Sequence, residues 1–61
     1  MKFIRLKEVM AQTGLSRSTI YLYIEKGIFP SNVSLGGRCV AWVESEVLEW
    51  MESKISARDK K

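Results

Sequence analysis

With one cysteine, Cys39, and no histidine in its 61 residues, this chain can close no internal disulfide and cannot assemble the cysteine and histidine ligands of a structural zinc site. Chains this short bury only a modest share of their surface and often depend on such staples. This one has to hold together by packing a single small core. Its apolar fraction of 46% and its pairs of Trp, Tyr and Phe supply the material, since a disordered chain would be poorer in bulky apolar residues.

Leu6, Val9, Met10 and Thr13 fall at i, i+3, i+4 and i+7, which predicts a short amphipathic helix ended by Gly14, a residue suited to the left-handed conformation. Leu15 follows as an apolar plug. Ser16 is placed to cap a second helix by accepting from the amide of Ser18 or Thr19. That helix is expected from Arg17 to Lys26, with Ile20, Tyr23 and Ile24 inward and Ser18, Tyr21, Leu22 and Glu25 away from the core. Gly27 ends it, Ile28 and Phe29 are expected to pack, and Pro30 blocks further helix. Gly36 and Gly37 predict a two-residue hairpin turn between Val33-Ser34-Leu35 and a strand that runs from Arg38 to Trp42. A last helix is expected from Ser45 to Ile55, with Val47, Trp50, Met51 and Ile55 on one side and acidic residues favouring its first turn. Trp42 and Trp50 read as core anchors rather than stacking platforms for bases. The predicted fold is mainly α, a small winged helix-turn-helix of three helices with a short β-hairpin wing. Residues 1–56 form the domain, and 57–61 make a polar, frayed tail.

Charge is distributed unevenly. From Met1 to Trp42 there are six basic residues against Glu8 and Glu25, whereas Val43 to Ile55 holds four glutamates against Lys54. A basic face backed by an acidic segment orients a protein on a polyanion. No apolar run approaches the roughly 18 residues of a membrane span, and the first residues lead into a charged segment rather than a signal peptide. A bacterial cytoplasm, with association to the nucleoid, is the expected compartment. Catalysis is not expected, because the lone thiol has no evident base and the glutamates form no paired site. No cofactor or metal is expected either.

Two short helices joined at Gly14 match the helix-turn-helix arrangement, in which the second helix enters the major groove of double-stranded DNA. Arg17 can reach a phosphate or a guanine edge, and Tyr21 a phosphate, a sugar or a thymine methyl. The hydroxyls of Ser16, Ser18 and Thr19, with the helix-start amides, can hold phosphate oxygens. Ser16 has a second reading as a cap alone, and Thr19 as a residue buried where the helices cross. Arg38, at the wing tip, suits a phosphate or the minor groove. Lys26, Lys7 and Arg5 add longer-range attraction without an individual assignment. The other reading of the chain is a protein-interaction module, using the acidic last helix or Leu22.

The block Thr13-Gly14-Leu15-Ser16-Arg17-Ser18-Thr19-Ile20-Tyr21, with Gly27-Ile28-Phe29-Pro30, Leu35-Gly36-Gly37-Arg38, Val40-Ala41-Trp42 and Glu46-Val47 with Trp50, resembles the AlpA family of small prophage regulators. The resemblance spans nearly the whole chain. It implies a fold similar to MerR-type domains and phage excisionases, and a role as a transcriptional regulator or as an excisionase that bends attachment-site DNA. Ser16, Arg17, Ser18, Thr19 and Tyr21 match the family's reading helix, and Arg38 its wing arginine. Leu22 and Ser31-Asn32 stand where such proteins often carry basic residues, which implies fewer phosphate contacts. Support is then expected from further copies on adjacent sites, an integrase or RNA polymerase.

Overall fold

Val9 and Ile20 are completely withdrawn from solvent, and the helices that carry them, α1 (Leu6–Thr13) and α2 (Arg17–Glu25), form because they bury these side chains together. Helices of eight and nine residues would not persist alone in water, where nucleation costs more than a few turns return. The computed structural model describes residues 1–60. The last position of the expected tail, Lys61, lies outside the described residues.

The turn between the helices is built from hydrogen bonds that the sequence supplies locally. Gly14 takes φ 74° and its N–H donates to the Met10 carbonyl. The Thr13 hydroxyl donates to the Val9 carbonyl at 2.8 Å and accepts from the Leu15 N–H at 3.2 Å. Ser16 caps α2 by accepting from the Thr19 N–H at 3.2 Å. Leu15 and Ile20 stand immediately before the cap and four residues after it, the positions of a hydrophobic staple, and Leu15 packs against the cluster that contains Ile20. At its far end α2 closes with the Gly27 N–H on the Ile24 carbonyl and the Ile28 N–H on the Tyr23 carbonyl, the paired bonds of a Schellman motif. Lys26, expected as the last helical residue, is the C-cap.

Three antiparallel strands, β1 (Phe3–Ile4), β2 (Val33–Gly36) and β3 (Cys39–Val43), form a sheet in the order β1-β3-β2. The expected hairpin is β2-β3, and β1 is an addition. Ile4 pairs with Trp42 and Phe3 with Val43, and the Glu44 N–H donates to the Lys2 carbonyl at 2.8 Å. The hairpin turn differs by one residue from the expected Gly36-Gly37. Gly36 pairs with Cys39, so Gly37 and Arg38 make the turn, with Gly37 at φ 56°. The cause is a register shift between Ser34 and Gly36, where an extra residue on one strand moves the turn along.

The last helix, α3, runs Glu44–Asp59, beginning one residue earlier and ending four later than the expected Ser45 to Ile55. Three residues expected to fray, Ala57 to Asp59, continue the helix. Glu44 and Glu46 in its first turn and Arg58 in its last complement the helix dipole. Ile55, expected on the buried side, is 51% exposed, because Met51 is the last α3 residue packed on the core and Ile55 lies a turn beyond it. Ile28 also departs from expectation. It is exposed while its neighbour Phe29 is buried.

Ile4, Val9, Ile20, Phe29, Trp42 and Val47 compose the core. Both indole N–H groups are spent on one segment. Trp42 Nε1 donates to the Pro30 carbonyl at 3.1 Å and Trp50 Nε1 to the Ile28 carbonyl at 2.6 Å. Phe29, between these carbonyls, meets the Trp50 ring edge-on at a centroid distance of 4.8 Å, an arrangement favoured by the ring quadrupoles. Trp42→Ala is expected to cost about 3–5 kcal/mol, comparable to the whole stability of many small domains. Trp50→Phe, which keeps a ring but removes the donor, should cost about 1 kcal/mol. Urea unfolding followed by circular dichroism measures both, and a Trp42→Ala variant as stable as the parent would contradict this account of the core.

Candidate nucleic-acid interface

The residue before α1, the first turn of α1, the first residue of α2 and the hairpin turn border one open cleft. Arg5, Lys7, Arg17 and Arg38 surround it, and Leu6, Tyr21 and Val40 supply its apolar lining. No acidic residue lines it. Among the described residues the side-chain ion pair is Arg58–Asp59, at 2.8 Å on the exposed end of α3, so the four cleft cations have no carboxylate within salt-bridge distance. Like charges gathered over low-dielectric walls focus the field and attract anions.

Each charge is placed by the fold. Arg5 follows directly on β1, so its place beside the hairpin depends on the pairing of Ile4 with Trp42. Arg17 begins α2 behind the Ser16 cap, and its guanidinium carbon lies 5.8 Å from the centroid of the Tyr21 ring, within cation–π range. Tyr21 in turn meets Trp42 edge-on, with centroids 6.2 Å apart. Arg38 stands in the turn that the β2 irregularity sets.

Of the residues singled out from sequence, Arg17, Tyr21 and Arg38 therefore share the cleft. Ser16, Ser18 and Thr19 do not line it. The Ser16 hydroxyl is engaged as the cap and also donates to the Thr19 hydroxyl at 2.9 Å, and Thr19 is half-buried while Ser18 is exposed. Arg5 and Lys7, given no individual assignment from sequence, belong to the cleft. The sequence carries little signal for them, because Phe3 and Ile4 are both apolar and show no two-residue alternation that would mark β1 ahead of Arg5, and Lys7 reads as one more surface lysine on α1.

On the far part of the chain a second groove has the opposite character. It is lined by the segment from Gly27 to Val33 and by Glu46, Glu49 and Trp50 of α3. The surface is thus divided between a cationic cleft and an acidic groove. No helix among the described residues is long and apolar enough to cross a membrane.

A Ser-capped second helix after a three-residue turn, backed by a third helix and flanked by a hairpin, defines a small winged helix-turn-helix domain. The chain belongs to the family of the prophage CP4-57 regulatory protein (AlpA), whose model matches residues 2–55. It is similar to the protein ORF88 of Enterobacteria phage P4, with 58% identity over 57 residues that cover 93% of this chain and 65% of that protein. It thus spans somewhat less than two thirds of that relative's length. It is also similar to the DNA-binding transcriptional activator AlpA of Escherichia coli K12, at 32% identity over 60 residues, covering 88% of this chain and 86% of the other.

Ser16 allows the cap to be separated from any contact with a ligand. Ser16→Ala is expected to lower stability by about 1 kcal/mol. Ser16→Asp should retain stability, because aspartate caps as well as serine and suits the helix dipole. Thermal unfolding of the two variants tests this, and equal stability of Ser16→Ala and the parent would show that the hydroxyl bonds contribute nothing.

Proposed function

We propose that this chain binds double-stranded DNA as a transcriptional regulator of a prophage or related integrative element, with α2 in the major groove and the β2-β3 turn against the flanking backbone. The observation that carries the reading is the set of four unpaired cations gathered where the start of α2 meets the hairpin turn. A duplex is a dense polyanion, and cations that displace its counterions supply most of the sequence-independent affinity. Helix-turn-helix domains dock with the N-terminal part of the second helix nearest the bases, and here that part carries Arg17, Ser18 and Tyr21. The description of the E. coli relative as a DNA-binding transcriptional activator supports the same reading.

In this proposal residues 1–56 are the binding unit. The Ser16 and Thr19 hydroxyls act through the cap that holds the start of α2, and Ser18 stands free for contact. Arg38 reaches the backbone or the minor groove beside the α2 site, where negative potential favours arginine. Contacts with further copies, an integrase or RNA polymerase would add to an affinity that few basic residues support.

Selection of duplexes from a randomised library, followed by fluorescence anisotropy, tests the proposal. The chain is expected to enrich a defined sequence and to bind it more weakly as salt rises from 50 to 200 mM, as counterion release requires. Arg17→Ala combined with Arg38→Ala should weaken that binding about tenfold or more. Undiminished site-specific binding by the double variant would sink the assignment of this surface.

A further inference from the structure

Resting on the DNA-binding reading, we infer that the cleft bordered by Arg5, Lys7, Arg17 and Arg38 takes the phosphodiester backbone of one DNA strand. Arg17 is then a backbone clamp, and the sequence is read by the part of α2 that turns away from the cleft, chiefly Ser18 and Leu22.

The geometry separates the two roles. Arg5 and Lys7 come from the start of α1, Arg17 from the start of α2 and Arg38 from the hairpin turn, yet all four border the same cleft with no acidic residue among them. Cations from three separate parts of the chain suit a ligand with repeated negative charge. The lining of Leu6, Tyr21 and Val40 offers these cations no counter-charge and few polar groups, so a phosphate oxygen is the partner they lack. The Arg17 guanidinium lies beside the Tyr21 ring, and both residues line the cleft. From there its planar fork of donors matches a phosphate bidentately.

Successive helical residues are separated by about 100°, and the buried or half-buried Ile20, Tyr23 and Ile24 fix the inward side of α2. Arg17 and Tyr21 then fall on the flank towards the cleft, while Ser18 and Leu22 lie nearly opposite the core. Leu22 is 46% exposed, and its aliphatic side chain is chemically suited to a thymine methyl, as the Ser18 hydroxyl is to a base edge. A strand gripped in the cleft would bring these two side chains over the adjacent base pairs. The exposed leucine and the two unassigned cations near the N-terminus are explained by one docking pose.

Phosphate and base contacts leave different signatures. A lost phosphate contact weakens all duplexes alike and lowers the dependence of log K on log salt, whereas a lost base contact alters the preferred sequence. The test uses the full chain with two probes, the duplex that the parent selects from a randomised library and a random-sequence duplex, each titrated between 50 and 200 mM salt. Arg5→Ala with Lys7→Ala should lower the salt slope by about two and Arg17→Ala by about one. Each should weaken both duplexes by the same factor and reselect the same sequence. Arg5→Lys with Lys7→Arg should restore the slope, and circular dichroism should show every variant folded like the parent. Leu22→Ala should keep the slope and change the selected sequence. An unchanged slope in Arg5→Ala with Lys7→Ala, or a changed selected sequence in Arg17→Ala, would overturn the clamp while leaving DNA binding by the parent intact. Failure of the parent to bind either duplex would instead remove the reading beneath it.

Discussion

Two indole N–H groups, those of Trp42 and Trp50, hold the carbonyls of Pro30 and Ile28, and the arrangement of the rest depends on these bonds. The segment from Ile28 to Pro30 joins the helical half of the domain to the sheet. It can form neither a helix past Pro30 nor a strand before Val33, so its carbonyls have no helix or sheet partner. An unpaired carbonyl near the core would cost roughly 1–3 kcal/mol. The tryptophans satisfy two of these carbonyls while the Trp42 ring fills the core and the Trp50 ring packs against it, with Phe29 anchored between. In a chain with a single cysteine and no histidine, large side chains thus do the work that a covalent staple does elsewhere.

The same tryptophans link structure to surface. Trp42 pairs across to Ile4 on β1, which brings Arg5 to the cleft, and meets Tyr21 of α2 edge-on. It also lies in β3, the strand that returns from the Arg38 turn. Three sources of cleft charge are therefore referred to one buried residue. Glu46 and Glu49 of α3 line a groove of their own, and no glutamate of α3 lines the cationic cleft.

The parts of this architecture governed by local chemistry were legible in sequence. Val9 and Ile20 at helical spacing, Gly14 after the first helix and Ser16 before the second located α1, the turn and α2 within a residue. Features set by tertiary pairing were not. A two-residue strand such as β1 carries no period, and its existence depends on β3, nearly forty residues later. The hairpin turn moved by one residue because the irregularity at β2 is a property of the pair of strands, not of Gly36 and Gly37. α3 outran its expected end because nothing after Ile55 stops a helix. Ser56, Ala57, Arg58 and Asp59 include neither Gly nor Pro, and Ala and Arg are good helix formers. At the candidate site the same division holds. Arg17 and Arg38 are marked by their places at the start of the second helix and in the hairpin, whereas Arg5 joins them only once β1 is paired and Lys7 only once α1 is packed.

The contact between Tyr21 and Trp42 has a bearing on how such a domain can change over evolutionary time. Tyr21 borders the cleft on one side and meets the principal core ring on the other, so a substitution there would disturb surface and interior together. Ser18 and Leu22, exposed on the same helix, belong neither to the core cluster nor to the cleft lining. In a domain too small to keep its scaffold and its surface apart, these two positions are the ones on α2 where side chains can be exchanged with least disturbance to the fold.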